Sequence, residues 1–252
     1  MFDLTGKTAI VTGGGGGLGS QIAIALSKAS ANLVLCSRNV ESCEKVCQKI
    51  QKLGGKAIAM TLDVTDARSV NKLVQDTIQT FGKIDILVNC SGMTKHESAT
   101  EMSEETWDNI IETNLKGVFL MSQAVGKHMI ENRYGKIINI SSVAGLRGYE
   151  PENHNSIAYT SSKGAVHTLT KDLAVKWGRY GVNVNAVAPG LFPTQMNRER
   201  IKPIEKQLAE NIPMRRLGGD RDLMGAVLYF ASDASNYCTG QILAIDGGSS
   251  AK

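Results

Sequence analysis

Short runs rich in β-branched residues alternate with helix-length segments along the whole 252-residue chain. The runs are nearly continuous apolar stretches, which is typical of strands buried on both faces of a parallel sheet. The seven predicted strands are Thr8 to Val11, Asn32 to Leu35, Ala57 to Leu62, Ile84 to Val88, Lys136 to Ile140, Val182 to Val187 and Ile242 to Ile245. This order predicts an α/β protein with a doubly wound, seven-stranded parallel sheet and helices on both faces.

Polar or small residues follow several of these predicted strands. They are Asp63 and Val64 after the third strand, Asn89 to Gly92 after the fourth, Asn139 to Ser142 at the end of the fifth, and Pro189 and Gly190 after the sixth. Doubly wound sheets bind ligands beyond the carboxyl ends of their strands. The sequence therefore predicts a ligand cleft along one edge of the sheet.

Five consecutive glycines, Gly13 to Gly17, separate the first strand from a helix that begins by about Leu18. A glycine turn at this place lets a phosphate reach unpaired backbone N–H groups and the positive end of the helix dipole. The run has two registers: Gly14, Gly16 and Gly19 match GxGxxG, whereas Thr12, Gly13, Gly17 and Gly19 match TGxxxGxG. A merely flexible turn is the simpler alternative.

Tyr159 and Lys163 are four residues apart near the start of a predicted helix, so their side chains share one face. A free phenol has a pKa of about 10, so acid–base catalysis near neutral pH needs a shift of about three units. A neighbouring ammonium and a cationic nicotinamide both favour the phenolate, so we expect Lys163 to help lower the pKa of Tyr159 and to bind a ribose hydroxyl. Ser142 is expected to orient a carbonyl or alcohol oxygen, with an ordinary turn residue as the alternative.

Together these motifs resemble the short-chain dehydrogenase/reductase family, and the resemblance extends from Thr5 to Gly248. The matching residues are Thr12, Gly13, Gly17, Leu18, Gly19, Asp63, Val64, Asn89 to Gly92, Asn114, Ser142, Tyr159, Lys163, Pro189, Gly190 and Thr194. The resemblance implies a Rossmann-type fold and an oxidoreductase that interconverts a secondary alcohol and a ketone by hydride transfer. It also implies a homotetramer built from two long helices, around Lys116 to Ile130 and Tyr159 to Tyr180, with the last strand as a second contact.

The same resemblance implies a catalytic tetrad of Asn114, Ser142, Tyr159 and Lys163, with Tyr159 as acid and base and Asn114 holding a water beside Lys163. It selects the register of Gly13, Gly17 and Gly19, so Gly14, Gly15 and Gly16 are expected to tolerate Ala or Ser. The residues expected to bind the cofactor are Thr12, Gly13, Gly17, Leu18, Gly19, Ser37, Arg38, Asp63, Val64, Asn89, Gly92, Tyr159, Lys163, Pro189, Gly190 and Thr194.

The end of the second strand indicates the choice of cofactor. NAD-preferring enzymes place an acidic residue there to bind the ribose 2′-hydroxyl, and this chain has none. Ser37 and Arg38 stand there instead, and the planar guanidinium of Arg38 suits a 2′-phosphate. The sequence therefore favours NADP over NAD, with a solvated Arg38 as the alternative.

The substrate is the least determined feature. Arg147, His154, Asn155, Gln195, Arg198 and Arg200 are candidates to contact a hydroxylated or anionic substrate, or else solvated loop residues. They lie between Gly145 and Tyr159 or in a predicted lid at about 190–212. The segments Asp222 to Gly225 and Ser232 to Ser235 resemble sugar-acid reductases of the gluconate 5-dehydrogenase type.

A sugar acid or polyol is therefore the expected substrate, and a 3-oxoacyl-[acyl-carrier-protein] reductase is the alternative. The alternative from another class is a non-catalytic dinucleotide sensor. A sensor is expected to lack at least one member of the tetrad, and all four are present.

Composition excludes several other classes. The net charge of +4 is small and scattered, so we expect no nucleic-acid partner. No stretch approaches the ~20 apolar residues that cross a bilayer, and we expect a cytoplasmic single domain over residues 1–252 without membrane contact. The number of cysteines is odd and none of them has CxxC spacing. We therefore expect no disulfides and no metal site.

Overall fold

The computed structural model of the chain describes residues 2–150, 155–194 and 197–251. Its strands are β1 Thr8–Thr12, β2 Asn32–Ser37, β3 Lys56–Thr61, β4 Ile86–Asn89, β5 Gly135–Ile140, β6 Val182–Pro189 and β7 Ile242–Ile245. All of them pair in parallel, in the order β3-β2-β1-β4-β5-β6-β7. The seven predicted strands are confirmed, with ends that shift by two residues at most.

The strands are apolar because helices pack on both faces of the sheet. Successive residues of a strand point to opposite faces, so β1 places Ala9 and Val11 in one core and Ile10 in the other. All three side chains are fully buried. Burying a Val or Ile side chain contributes ~1.5–3 kcal/mol, so both faces of each central strand stabilise the fold.

The described residues form helices α1 Gly17–Lys28, α2 Val40–Lys52, α3 Ala67–Phe81, α4 Glu104–Ile111, α5 Gly117–Glu131, α6 Ile157–Trp177, α7 Arg198–Ile201, α8 Glu205–Glu210 and α9 Met224–Ala231. Helices α1, α2 and α9 pack on one face of the sheet, and α3, α5 and α6 pack on the other. The doubly wound prediction is therefore confirmed. The two predicted long helices correspond to α5 and α6, and a 3₁₀ turn at Gly178–Tyr180 extends the second.

A π-helical turn at Glu112–Lys116 joins α4 to α5 without a break in the chain direction. Such turns are rare and frequently occur at functional sites. Asn114 lies within this turn and is fully buried. The local widening of the helix thus falls on a residue that the sequence motifs had singled out.

Within residues 2–150, 155–194 and 197–251, no helix is long and apolar enough to cross a membrane. The same ranges hold no group of three or more His, Cys, Asp or Glu side chains placed to bind a metal ion. The five cysteines are free thiols, and three of them are buried.

Candidate active site

A cleft of about 620 Å³ opens along the carboxyl edge of the sheet, where the strand-end residues were expected to meet. Its wall contains Gly13, Gly17, Leu18, Gly19, Ser37, Arg38, Asp63, Val64, Gly92, Ser142, Tyr159, Lys163, Pro189, Gly190 and Thr194. The other predicted site residues, Thr12, Asn89 and Asn114, do not line it. They are buried behind the wall.

The conformation of the turn before α1 depends on three of its glycines. Gly13 and Gly17 have left-handed φ angles of +66° and +51°, a region that other residues rarely adopt. A Cβ atom at Gly19 would lie 2.3 Å from the carbonyl oxygen of Gly13. This geometry agrees with the TGxxxGxG register, because Gly13 and Gly17 have left-handed φ angles and Gly19 has no room for a Cβ atom.

The expectation that all three intervening glycines tolerate Ala or Ser is wrong at Gly15. A Cβ atom there would lie 2.0 Å from Oγ and 2.8 Å from Cβ of Ser42. At Gly14 it would lie 3.0 Å from Cβ of Leu35. The conflict arises because Ser42 belongs to α2, a neighbour that the glycine motif itself does not encode.

Thr12 and Asn89 brace the strand ends from behind the cleft. Thr12 Oγ1 accepts hydrogen bonds from the N–H groups of Cys90 and of the next residue, at 2.9 and 3.0 Å. Asn89 Nδ2 donates to Ser122 Oγ at 3.1 Å and to Asn139 Oδ1 at 2.9 Å. Both side chains therefore shape the wall without reaching its surface.

The end of β2 presents one cation to the cleft. Arg38 is exposed at the rim and, among the described residues, forms no hydrogen bond or ion pair. Ser37 Oγ donates to the carbonyl oxygen of Asn39 at 2.7 Å, so its hydrogen is not directed at a ligand. Hydrogen bonds from Thr65 lower the pKa of Asp63, and Arg38 adds a smaller effect in the same direction.

Ser142, Tyr159 and Lys163 come together in the wall of the cleft. The side chains of Tyr159 and Ser142 are hydrogen-bonded. Lys163 Nζ lies 5.5 Å from the centre of the Tyr159 ring and donates to the carbonyl oxygen of Ile140 at 2.9 Å. Helix α6 thus sets the Tyr–Lys spacing, and the end of β5 fixes the ammonium and the serine.

Burial governs the pKa values of this group. It raises the pKa of Tyr159, and the hydrogen bond with Ser142 only partly opposes that rise. It lowers the pKa of Lys163 to about 8. The expectation that Lys163 and a cationic nicotinamide lower the pKa of Tyr159 stays a prediction. The folded chain itself raises that pKa, so the phenol is protonated at neutral pH.

Asn114 connects the π-helical turn to the residues around Lys163. Its Oδ1 accepts from the N–H of Met93 at 2.8 Å, and its Nδ2 donates to the carbonyl oxygen of Met93 at 2.9 Å and to Ser162 Oγ at 3.2 Å. A Cβ atom at Gly92 would lie 3.4 Å from Asn114 Oδ1 and 3.8 Å from Lys163 Nζ. The amide of Asn114 and the ammonium of Lys163 therefore face the same point.

The loop after β6 closes the other side of the cleft. A Cβ atom at Gly17 would lie 3.6 Å from Cβ of Thr194, so Thr194 faces the glycine turn. Asn197, which the sequence analysis missed, accepts from the N–H of Thr194 at 2.7 Å and donates to the carbonyl oxygen of Phe192 at 2.9 Å. An Asn in a proline-containing loop is a turn signal, and that signal was available in the sequence.

The cleft is also lined by residues that were not expected to bind the cofactor. They are Leu62, Cys90, Ser91, Met93, Thr113, Ile140, Ser141 and Phe192. Burial raises the pKa of the Cys90 thiol to about 11, which makes it a poor nucleophile at neutral pH.

The structure describes only some of the residues that were predicted to contact the substrate. His154, Gln195 and the side chain of Arg200 lie outside the described residues. Arg147 is half-buried and donates to the carbonyl oxygen of Ser249 at 2.6 Å, so it anchors the C-terminal segment. Asn155 accepts from the N–H of Glu97 through its backbone, and Arg198 is exposed on α7.

The fold and the site define a family. A family model described as Enoyl-(Acyl carrier protein) reductase matches residues 13–250. Relatives with dehydrogenase and reductase activities match nearly the full chain. The chain belongs to the short-chain dehydrogenase/reductase family, which confirms the resemblance seen in the motifs, and it is an oxidoreductase.

Within this family, the chain is similar to several sugar-acid enzymes. It is 37% identical to 2-dehydro-3-deoxy-D-gluconate 5-dehydrogenase of Dickeya dadantii, over 98% of this chain and 96% of that protein. It is 38% identical to gluconate 5-dehydrogenase of Gluconobacter oxydans, over 98% of this chain and 96% of that protein. It is also 35% identical to 3-oxoacyl-[acyl-carrier-protein] reductase of Thermotoga maritima, over 97% of this chain and 98% of that protein.

A solved structure gives the same result for the fold. The structure of a gluconate 5-dehydrogenase from Burkholderia cenocepacia, in complex with NADP and tartrate, superposes with a TM-score of 0.94 at 34% identity. The match covers 100% of this chain and 98% of that chain.

Proposed function

We propose that this chain interconverts a secondary alcohol and a ketone with NADP(H), and that its substrate is a sugar acid. The observation that carries the proposal is the hydrogen bond between Tyr159 and Ser142, one helical turn from Lys163, in the same cleft as the glycine turn. An acid–base group beside a phosphate-binding turn suits hydride transfer coupled to proton transfer.

The residues of the cleft fit a dinucleotide phosphate. Gly19 leaves the backbone of the turn open, because a Cβ atom would collide with Gly13 there. Gly16 precedes α1 without any side-chain cap, so the first N–H groups of the helix are available to a phosphate. Arg38 supplies the planar donors for a 2′-phosphate, which favours NADP.

The proton is handled by Tyr159 and Ser142. The bound cofactor would supply a hydride to the ketone as NADPH and would accept one from the alcohol as NADP⁺. Tyr159 is protonated at neutral pH and donates its Oη hydrogen to the carbonyl oxygen of a ketone; in the reverse direction it removes the proton of the alcohol. Ser142 hydrogen-bonds the same oxygen and holds it beside the phenol.

Lys163 and Asn114 support the proton transfer. Lys163 has a pKa of about 8, so it is mostly charged at neutral pH and stabilises the phenolate that remains after proton transfer. We propose that it also binds a ribose hydroxyl of the cofactor. Asn114 faces the same point as Lys163, and a water held between them would return a proton to the site.

The sugar-acid substrate is supported by the relatives named gluconate 5-dehydrogenase and 2-dehydro-3-deoxy-D-gluconate 5-dehydrogenase. The family description and the relative from Thermotoga maritima favour an acyl-carrier-protein substrate as the second candidate. We propose residues 1–252 as one domain, in which the segment at about 190–212 serves as the substrate lid, since Phe192, Thr194 and Asn197 line the cleft.

A substrate panel tests this function. Purified protein is assayed for NADPH oxidation with 5-keto-D-gluconate, with an acetoacetyl thioester and with a simple ketone. We expect kcat/KM for the sugar acid to exceed that for the thioester by at least about ten-fold, because pocket contacts discriminate in the transition state. A preference for the thioester would replace the substrate assignment, and tight NADPH binding without turnover of any ketone would favour a sensor.

Replacing Arg38 with Ala tests the choice of cofactor. A charge-assisted hydrogen bond contributes ~1.5–3 kcal/mol, so KM for NADPH should rise about 10- to 100-fold while KM for NADH changes little. The matched control is Lys45→Ala, an exposed lysine on α2. Equal losses with both cofactors, or a wild-type preference for NADH, would count against the 2′-phosphate role.

We also propose a homotetramer formed through α5 and α6, with β7 as a second contact. Phe119 on α5, Val175 on α6 and Leu243 on β7 are 41%, 83% and 38% exposed, so each of these elements has an apolar side chain available for a contact between subunits. Sedimentation velocity should give about four times the mass of one chain, and Val175→Glu should shift it to smaller species. A stable wild-type monomer would refute this assembly.

A further inference from the structure

His167 is a buried histidine that the mechanism above does not use. It follows Lys163 by one turn of α6, so both side chains leave the helix on the same face. The side chain is only 6% exposed. Its Nε2 lies 2.8 Å from Oγ of Ser141, the residue directly before Ser142.

The other side of Ser142 also lies against α6. There the backbone of Gly145, the last residue of the 3₁₀ turn Val143–Gly145, acts to raise the pKa of His167 against the larger effect of burial. Gly145 lies against α6 so closely that a Cβ atom there would be 2.6 Å from the carbonyl carbon of Lys163. The ring therefore ties α6 to the Ser141 end of the segment that contains Ser142, and close backbone packing holds the Gly145 end on the same helix.

A neutral ring suffices for the hydrogen bond with Ser141. Burial lowers the pKa of His167, and Lys171 and Lys163 act in the same direction. A neutral imidazole has one donor and one acceptor, and Nε2 can take either role toward the Ser141 hydroxyl. The Ser141 hydroxyl also lies 3.1 Å from the carbonyl oxygen of Lys163, so it remains on α6 in either orientation.

Apart from Tyr159, Ser142 is supported by its own turn. Its Oγ accepts from the N–H of Ala144 at 3.1 Å, inside the same turn. The direction in which its hydroxyl meets Tyr159 is therefore set by the backbone between Ser141 and Gly145. We propose that His167 is a positioning residue that holds this segment on α6 and so keeps Ser142 beside Tyr159. The inference rests on the proposed function, since it assigns Ser142 to the substrate oxygen.

Two substitutions at His167 separate this role from packing. A misplacement of about 1 Å at a reacting group costs up to about 100-fold in rate, so His167→Leu should lower kcat for 5-keto-D-gluconate by about 10- to 100-fold. KM for NADPH should stay within about two-fold, because no residue proposed to hold the phosphates contacts the ring. His167→Gln keeps a donor and an acceptor and should restore most of kcat.

The control for buried hydrogen bonding is Thr77→Val on α3. Thr77 is fully buried and its Oγ1 donates to the carbonyl oxygen of Leu73 at 2.7 Å, far along the chain from Ser142. The Thr77→Val substitution should lower the stability of the protein without changing kcat. A loss of kcat in His167→Leu no larger than that in Thr77→Val would overturn the proposal.

A double-mutant cycle asks whether His167 acts through Ser142. If it does, His167→Leu should have little further effect on kcat in a Ser142→Ala background, because the group that it positions is already absent. Full additivity of the two losses would show that His167 acts elsewhere and would overturn the proposal.

Amide hydrogen exchange decides the same question without a substrate. The N–H groups of Ala144 and Gly145 bond to Ser142, and they should exchange at least about ten-fold faster in His167→Leu but not in Thr77→Val. Unchanged exchange in His167→Leu would overturn the positioning role. A wild type that reduces no ketone would instead overturn the proposed function, and the exchange result would still decide the role of His167 in the fold.

Discussion

Tyr159→Phe is expected to lower kcat for ketone reduction by about 10²- to 10⁴-fold, the usual contribution of a positioned acid–base group. The substitution keeps the ring and removes the hydroxyl that hydrogen-bonds Ser142. Affinity for NADPH, measured by fluorescence titration, should stay nearly unchanged because the phosphate-binding turn is untouched. A loss confined to kcat would identify Tyr159 as a group that acts in the transition state.

The control is Tyr134→Phe, which removes the hydroxyl that bonds Asp233 at 3.2 Å outside the cleft and should leave kcat unchanged. The pH dependence gives an independent check. Alcohol oxidation needs the phenolate, and burial raises the pKa of Tyr159, so the wild-type oxidation rate should rise as the pH increases above neutral. A Tyr159→Phe rate within about ten-fold of the wild type would refute its role as acid and base.

Gly19→Ala is expected to have the largest effect on cofactor binding. The new Cβ atom would lie 2.3 Å from a backbone oxygen, which no side-chain rotation can relieve. Overpacking of this kind costs ~1–3 kcal/mol, and here the strain falls on the turn proposed to hold the phosphates. We expect the Kd for NADPH to rise at least about ten-fold and the melting temperature to fall.

Gly225→Ala is the matched control. Gly225 lies in α9, and a Cβ atom there would meet no atom within 4 Å. Alanine is favoured over glycine in a helix by ~0.5–1 kcal/mol, so this variant should be as stable as the wild type or more so, with unchanged NADPH binding. If Gly19→Ala bound NADPH as tightly as the wild type, the proposed register of the turn would be wrong.

The sheet was predictable because its signal is local. Each central strand is apolar on both faces, and β1 shows why, since Ala9 and Ile10 lie in opposite cores. Helix α6 was predictable for the same reason, because a spacing of four residues places Tyr159 and Lys163 on one face whatever surrounds them. Strand order and strand ends then bring these residues to one edge.

Three features of the site could not be predicted from the sequence, because they depend on contacts between segments that are distant along the chain. Gly15 cannot take a side chain because Ser42 of α2 lies against it, and no feature of the glycine run encodes that neighbour. The pKa of Tyr159 is raised because the folded chain buries it, an effect that a Tyr–Lys spacing cannot report. His167 belongs to no motif, and its contact with Ser141 exists only once β5 and α6 meet.

The most direct test is a crystal structure of the protein with NADP and a ketone substrate or its unreactive analogue. We expect the substrate oxygen to lie within hydrogen-bond distance, about 2.5–3.0 Å, of both Tyr159 Oη and Ser142 Oγ, and the Arg38 guanidinium to contact the 2′-phosphate. A substrate oxygen bound elsewhere, with Tyr159 Oη directed away from it, would contradict the proposed chemistry.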